Sequence, residues 1–498
     1  MDALASLGQG FSLALQPINL LYCALGVTVG TLIGVLPGVG PASGIALLIP
    51  FTFGHDPVSA LILLCGIYYG AMYGGSTTSI LANIPGESSS VMTAVEGFEM
   101  TKQGRGGAAL GIAAFGSFIA GTLGVVALMA FAPSLARVAI SFGEPEYFAV
   151  MVAAFCLVSA LTGKSVVKGL ISTVLGLLLS LVGIDPVSGI ARFTAGRIEL
   201  LDGISFLVVA IGIFAVAEIF ENVETLLSPV PRFTRMSLRQ MLPNLEEWRR
   251  SIWPILRGTV IGFFTGVLPG AGATIASFLS YAVEKSVSRH PERFGKGAIE
   301  GVAGPESANN AASAGSLVPM LTLGIPGSGS TAIMMGALMM LNVTPGPLLF
   351  REHPQVFWGL VASMYIGNVM LLALNLPLIG AFVQVLRIPY STLSAVILAL
   401  SCVGVFSLNY SLSDVWLMFI FGLVGYAMRK LEFPMPPMVL ALVLGTRTER
   451  SLRLSLLLSD GSPAIFFTRP IPLAIFVAVA LYFLYRGWRS LRARPVQA

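Results

Sequence analysis

The sequence predicts an all-α polytopic membrane protein with about 10 to 12 transmembrane helices. Only 11% of its 498 residues are charged, whereas soluble domains carry about 25%. Hydrophobic residues make up 55% of the chain, and its mean hydropathy is +0.85. The apolar runs are continuous, which favours helices over the alternating strands of a membrane barrel. Long stretches without a charged residue include 106–136, 258–283, 307–350, 354–386 and 388–413.

The most informative feature along the chain is an internal repeat. The segment 34–40 reads GVLPGVG, and the segment 266–272 reads GVLPGAG. Further on, NIPGES at 83–88 is followed in the second half by GIPGSG at 324–329. The two motifs keep their order and nearly the same separation in both halves. We therefore predict a duplication, with a first membrane repeat at 1–228 and a second at 258–498.

A basic linker at 229–257 separates the predicted repeats. Its charges are mostly arginines, and the positive-inside rule places such a segment in the cytoplasm. The C-terminal tail, which carries four arginines between 486 and 494, belongs on the same side. No Lys or Arg precedes Lys102, so the first repeat begins from an uncharged flank. This asymmetry predicts that the two repeats are inserted with opposite topology, an arrangement common in secondary transporters.

The repeated motifs contain Pro-Gly pairs inside apolar segments, which predicts broken helices. Proline removes a backbone hydrogen bond, and the freed polar groups must find partners or line a watery cavity. A half-helix N-terminus exposed at such a break attracts an anion, and nearby hydroxyl groups can donate to a carboxylate. Matching breaks in two halves point to a transporter site. The alternative is that they are packing kinks, since Gly and Pro are frequent in membrane helices.

Candidate substrate-binding residues follow from the four breaks and from the polar segment at 304–310. At the first break of each repeat they are Pro37, Gly38, Gly40 and Ser43, with Pro269, Gly270, Gly272 and Thr274. At the second break they are Pro85, Gly86, Ser88 and Ser89, with Pro326, Gly327, Ser328 and Ser330; Asn309 and Asn310 complete the set.

Two carboxylates are candidates for ion coupling. Glu87 directly follows Pro85-Gly86, and Glu306 precedes a long uncharged run. A carboxylate at membrane depth costs a few kcal/mol and usually marks an ion or proton path. Either residue could bind Na⁺ or carry a proton. Either could instead lie at the water interface, where its charge costs little.

Other classes of function find little support in the sequence. It contains no HExxH, GxSxG or P-loop motif, so we predict neither catalytic residues nor an ATP-binding element. The cysteines form no CxxC pair and predict neither a metal site nor a disulfide framework. The net charge of +5 comes from short loops that set topology, so we expect membrane lipid and no nucleic acid as a partner.

The motifs resemble one known family. Its loop motifs match 30–40 and 266–272, the string KGAIEGVAGPESANN at 296–310, and LGIPG at 323–327. The family is the large membrane subunit of the tripartite tricarboxylate transporters, and the likeness covers nearly the whole chain. The string from Glu300 to Asn310 is its most specific part.

The resemblance implies an importer of carboxylates in the bacterial inner membrane, driven by a Na⁺ or H⁺ gradient and using no other cofactor. It implies two partners: a small membrane subunit and a periplasmic solute-binding protein that delivers an organic carboxylate. The family name does not assign the substrate, because specificity is expected to lie largely in the binding protein. A passive channel or membrane scaffold without coupled transport is the alternative from another class.

Overall fold

The computed structural model describes residues 3–36, 39–162, 165–185, 188–223, 238–270, 272–384 and 390–492. These residues are almost entirely helical, which confirms the predicted all-α class. The strands among them are β1 (Gly183–Ile184) and β2 (Ala191–Arg192), paired antiparallel with Gly183 opposite Arg192.

The α-helices follow one another with short connections. The first ten are α1 (Ala3–Ala14), α2 (Pro17–Val35), α3 (Pro41–Leu48), α4 (Pro57–Ala82), α5 (Val91–Lys102), α6 (Gly106–Ala139), α7 (Glu144–Leu161), α8 (Val166–Ser180), α9 (Phe206–Ala210) and α10 (Ala217–Val223). They continue with α11 (Leu238–Met241), α12 (Leu245–Val267), α13 (Gly272–Val287), α14 (Glu300–Leu323), α15 (Gly329–Met340), α16 (Leu349–Glu352), α17 (Pro354–Asn375), α18 (Ile379–Gln384), α19 (Tyr390–Asn409), α20 (Leu412–Lys430), α21 (Met435–Leu457), α22 (Ile465–Thr468) and α23 (Pro470–Arg492). A π-helix (Ile211–Val216) joins α9 to α10, and short 3₁₀ turns occupy Ile49–Thr52, Ser88–Ser90, Ile198–Leu200 and Pro291–Arg293.

Within the described residues, 7 helices are long and apolar enough to cross a membrane. They are α2, α4, α6, α7, α17, α19 and α20. Shorter apolar helices occupy Pro41–Thr52, Val166–Ser180, Gly329–Met340 and Pro470–Arg486. Two of these shorter helices directly follow the predicted breaks, as expected where a span is interrupted.

The chain forms two compact units. The first comprises Met1–Arg137 and Ser205–Leu431, and the second comprises Val138–Ile204 and Glu432–Ala498. The division into repeats at 1–228 and 258–498 follows the motifs instead and stays a prediction. Of the linker predicted at 229–257, residues 229–237 lie outside the described residues, whereas 245–257 form the first half of α12.

In the second unit, helices α7, α8, α21 and α23 pack on one another. Gly176 of α8 lets that helix approach Met438 of α21, because a Cβ there would collide with its backbone. An ion-pair network closes the β1–β2 hairpin onto α21. Arg192 lies 3.2 Å from Asp185 and 2.8 Å from Glu449, and Arg453 pairs with the same two carboxylates.

In the first unit, two helix pairs are built alike, α2 with α4 and α12 with α14. In each pair, three glycines at four-residue spacing face the backbone of the longer helix, and a Cβ on any of them would meet a carbonyl group at 2.5 Å or less. Small residues at this spacing let helices approach closely in membranes. The contacts are Gly26, Gly30 and Gly34 against Leu63, Ile67 and Ala71, and Gly258, Gly262 and Gly266 against Gly304, Ala308 and Ala312.

A larger side chain on these glycines is expected to destabilise the chain. A Cβ at residue 30 would lie 2.7 Å from the Cα of Ile67, so Gly30→Val must push α2 away from α4. Overpacking of this kind costs about 1–3 kcal/mol. Thermal unfolding of the purified chain in detergent should show a lowered Tm. Gly8→Ala is the control, because a Cβ at that exposed position on α1 meets no atom within 4 Å. Equal Tm values for the two variants would contradict the packing described here.

Candidate functional site

The helices that carry the first breaks end in the same way in both halves. After α2, Leu36 turns extended (ψ 117°), and its amide donates to the carbonyl oxygen of Ile33. After α12, Leu268 turns extended (ψ 120°), and its amide donates to Thr265. The predicted site residues Pro37 and Gly38 lie outside the described residues. Gly40, with extended backbone, directly precedes α3.

In the second half, the first break is described almost completely. After Pro269, Gly270 and Gly272 adopt φ values of +81° and +59°, a region that favours glycine. The amide of Gly270 donates to the carbonyl oxygen of Gly327 at 3.0 Å. This bond joins the first break of the second half to the second break of the same half.

The second breaks also share one geometry. Helix α4 ends at Asn83 (φ 57°) and α14 ends at Gly324 (φ 68°), both in the left-handed conformation that terminates a helix. The next amide groups donate back into the helix. That of Ile84 donates to the carbonyl oxygen of Thr78, and that of Ile325 donates to the carbonyl oxygen of Pro319. The two halves therefore interrupt α4 and α14 at residues that correspond in the repeated motif.

After each second break, side-chain hydrogen bonds cap the start of the next helical segment. The Ser328 amide donates to Thr331 Oγ1 at 2.8 Å, and the Thr331 amide donates to Ser328 Oγ at 3.2 Å. The first half has Glu87 in the place of Ser328 and Ser90 in the place of Thr331. There the Glu87 amide donates to Ser90 Oγ at 3.4 Å, and the hydroxyl of Ser89 donates to the Glu87 carboxylate. The predicted residue Ser89 is thus bound to Glu87.

The glycine after each proline lets the second break pack on the first helix of its half. A Cβ on Gly86 would collide with the carbonyl oxygen of Gly34 and would lie 2.6 Å from the Cα of Gly75. A Cβ on Gly327 would lie 2.9 Å from the carbonyl oxygen of Gly266 and 2.8 Å from the Cα of Ser316. The Pro85-Gly86 and Pro326-Gly327 breaks therefore lie against the ends of α2 and α12.

Hydroxyl groups connect the breaks of the two halves. Ser88, which is exposed, lies with its Oγ 2.8 Å from Thr274 Oγ1 at the start of α13. Tyr68 Oη of α4 lies 3.1 Å from Ser316 Oγ and 3.2 Å from Ser328 Oγ. Three of the predicted binding residues, Ser88, Thr274 and Ser328, thus belong to contacts between the halves.

Glu306 of α14 is fully buried and is bound by side chains of both halves. Its carboxylate accepts a hydrogen bond from Ser76 Oγ of α4 at 2.5 Å and a second one from the hydroxyl of Thr93 on α5. Asn309 Nδ2 lies 3.4 Å from the same carboxylate. Asn310 Nδ2 donates to Asn309 Oδ1 at 2.6 Å and to Ser117 Oγ of α6 at 2.7 Å. Helices α4, α5, α6 and α14 therefore meet at one polar cluster.

Two predicted residues lie elsewhere. Ser43 Oγ donates to the carbonyl oxygen of Phe214 in the π-helix at 3.0 Å. Ser330 is buried on α15, one residue into the helix. The sequence reasoning did not single out Tyr68, Ser76 or Thr93. A usable signal existed in α4, where Tyr68, Tyr73 and the polar run 76–79 interrupt an otherwise apolar span.

The fold and the site define a class: a multi-pass helical membrane protein with a polar interior between helices that end in matching breaks. The chain belongs to the tripartite tricarboxylate transporter TctA family, whose sequence model matches residues 20–440. This confirms the resemblance and makes the chain a membrane component of a transporter family, which is not a family of enzymes.

Two relatives from Agrobacterium vitis are similar to this chain. An uncharacterized 52.8 kDa protein in the TAR-I ttuC' 3'region is 46% identical over 495 residues, covering 99% of this chain and 98% of the relative. An uncharacterized protein in the TAR-II ttuC' 3'region is 46% identical over 210 residues, covering 42% of this chain and 87% of the relative. No solved structure matches the chain.

Proposed function

We propose that this chain is the translocation subunit of a secondary active importer of organic carboxylates. It lies in the bacterial inner membrane with its C-terminus in the cytoplasm and works with a small membrane subunit. A periplasmic solute-binding protein delivers the substrate, and a Na⁺ or H⁺ gradient drives uptake. The observation that carries the proposal is the pair of matched helix breaks in each half, within a chain of this transporter family.

The breaks supply the donors that a carboxylate needs. The N-terminal ends of α13 and α15 carry backbone N–H groups without partners inside the helix, and the helix dipole favours an anion there. The hydroxyls of Ser88 and Thr274 lie at the start of α13, and that of Ser328 lies at the start of α15; they can donate to carboxylate oxygens without bringing a fixed charge. A substrate held in this way is bound by neutral donors, which keeps its release into the cytoplasm favourable.

Alternating access follows from the same plan. The two halves are inverted repeats in this proposal, so that the broken helices of one half face the periplasm while those of the other face the cytoplasm. Substrate would bind between them and be exposed to each side in turn. Glu87 and Glu306 are the groups through which the driving ion acts.

The test is uptake of a panel of labelled carboxylates by cells that express the chain with its small subunit. Uptake is measured with and without the periplasmic binding protein, and with the proton and sodium gradients collapsed in turn. We expect uptake that requires the binding protein and one of the two gradients. Flux that depends neither on the binding protein nor on a gradient would indicate a passive channel and overturn the proposal.

Removing the Tyr68 hydroxyl is expected to weaken substrate handling. Tyr68→Phe keeps the ring but loses the contacts to Ser316 and Ser328, so the second break of the second half is held less firmly. We expect the KM for uptake to rise about fivefold, which corresponds to one hydrogen bond of about 1 kcal/mol. The matched control is Tyr22→Phe, which removes an exposed hydroxyl 3.0 Å from His55. An unchanged KM in Tyr68→Phe would remove this tyrosine from the site.

A further inference from the structure

A small cavity lies between α4, α6 and α17, next to the Glu306 cluster. Its polar lining consists of Tyr73, Ser76, Thr77, Ser117 and Asn375, and apolar side chains of α6 and α18 close the rest. Its volume, taken as the space open to the centre of a water molecule, is about 10 Å³. That space admits about one water molecule or one unhydrated cation.

Two polar atoms of this lining have no hydrogen-bond partner among the residues that the structure describes. They are Tyr73 Oη and Asn375 Oδ1. Both side chains are buried, with 4% and 5% of their surface exposed. The amide nitrogen of Asn375 donates to the carbonyl oxygen of Leu371, so the free oxygen is the part directed away from its own helix. A buried polar atom without a partner is unfavourable, and a bound ligand would offset that cost.

The hydroxyl oxygens of Ser76 and Ser117 connect the cavity to the cluster around the Glu306 carboxylate. Ser76 lines the cavity, and its hydroxyl lies 2.5 Å from Glu306 Oε2 and 3.2 Å from the carbonyl oxygen of Met72, both acceptors, so its own lone pairs remain free to bind a cation. Ser117 lines it as well and accepts a hydrogen bond from Asn310 Nδ2. The five polar side chains of the lining each carry an oxygen atom, and one buried carboxylate lies a single hydroxyl group away.

We infer that this cavity binds one Na⁺ ion, held by Tyr73, Ser76, Thr77, Ser117 and Asn375 and balanced by Glu306. The inference rests on the proposed function, in which an ion gradient drives uptake, and it names the ion and its site. A buried cation needs both a full set of oxygen ligands and a compensating charge. The cavity offers neutral oxygens as ligands and one carboxylate as the charge.

The ligand set and the size favour Na⁺ over other cations. Divalent Ca²⁺ binds six to eight oxygens, several of them from carboxylates, whereas none of the five polar lining residues here carries a charge. Mg²⁺ keeps several of its waters, for which this volume has no room. K⁺ usually takes more oxygen ligands than Na⁺, and the five polar side chains of this lining favour the ion with the smaller set of ligands. A bound cation of single charge leaves the pair with Glu306 neutral.

The experiment measures Na⁺ binding to the full-length chain purified in detergent. Thermal unfolding is followed in NaCl, KCl and choline chloride at equal ionic strength and over a series of NaCl concentrations. A ligand that binds the folded state alone raises Tm with concentration. We expect a saturable rise in Tm with Na⁺ that K⁺ and choline do not produce, and saturable binding of radioactive ²²Na⁺.

Two variants locate the site, and one serves as the control. Tyr73→Phe and Asn375→Leu each remove one unpartnered oxygen while keeping the shape of the side chain, and we expect at least about tenfold weaker Na⁺ affinity in each. Tyr69→Phe also removes a buried hydroxyl from α4, but that hydroxyl lies against Gly367 of α17 and does not line the cavity. Tyr69→Phe should keep the wild-type Na⁺ response.

The outcomes separate this inference from the proposed function. Equal Tm values in all three salts would overturn the Na⁺ site, as would a Na⁺ response that survives unchanged in both cavity variants. If uptake still required the binding protein and the proton gradient, the proposed function would stand while the cavity held only water. If Na⁺ bound as expected but no uptake depended on the binding protein, the Na⁺ site would be supported and the proposed importer function would be rejected.

Discussion

Uptake is expected to be lost in Glu306→Gln, while the chain still inserts and folds. Glutamine has nearly the same shape. The Ser76 hydroxyl can still donate to its amide oxygen, and the Thr93 hydroxyl can turn to accept from its amide nitrogen. The substitution removes only the negative charge, which a coupled cation or proton requires. We expect initial rates of uptake to fall at least about a hundredfold, because the charge balance of the buried site is lost.

The control for this variant is a carboxylate of the same unit outside the cluster. Glu99 on α5 pairs with Lys102 at 2.7 Å, and its side chain is about one-third exposed. Glu99→Gln should transport at the wild-type rate. Rates and expression are compared in the same cells, with the amount of chain in the membrane measured by immunoblot. Wild-type uptake by Glu306→Gln would remove this carboxylate from the coupling mechanism.

Gly86→Val and Gly327→Val are each expected to abolish transport. Valine at either position must displace the break from the end of its neighbouring helix, since its Cβ would meet the backbone of Gly34 or of Ser316. The displaced segment carries the caps at Glu87 or Ser328, so the donors proposed for the substrate would move with it. We expect uptake below about 1% of the wild-type rate, since a displacement of about 1 Å costs about a hundredfold in a positioned site.

The matched control is Gly8→Val, which places the same side chain where no atom lies within 4 Å. Size-exclusion profiles in detergent separate a misplaced break from a chain that fails to fold. Because the two breaks share one geometry, both variants should lose transport to a similar extent. Normal transport by either one would show that the break in that half does not form part of the site.

Much of the fold was predictable because its cause is local. Apolar run length predicts helices in a membrane, and Pro-Gly pairs predict where they break, as at Pro326-Gly327 after α14. The glycine triads were present in the sequence as well, although their role depends on which helix they face. Nothing in the sequence alone shows that Gly30 lies against Ile67.

The interior of the site was less predictable because it depends on distant partners. Glu306 was recognised as a candidate, but its donors Ser76 and Thr93 lie more than 200 positions away in the chain. Ser43 shows the opposite case. It follows the first break as a candidate donor should, yet its hydroxyl is bound to the carbonyl oxygen of Phe214. The π-helix that presents this carbonyl depends on a shifted hydrogen-bond register, which composition does not reveal.

The glycine triads also restrict how the first unit can deform. With no side chains between them, α2 and α4 interlock backbone to backbone, and the same holds for α12 and α14. If the register between α2 and α4 shifted by one residue, Val27 or Thr31 would take the place of Gly26 or Gly30. Its side chain would then collide with a carbonyl group that now faces glycine. We therefore expect the two helices of each pair to move together as a rigid body. We expect any bending at the residues where these helices end, which are Leu36 and Asn83 in one half and Leu268 and Gly324 in the other.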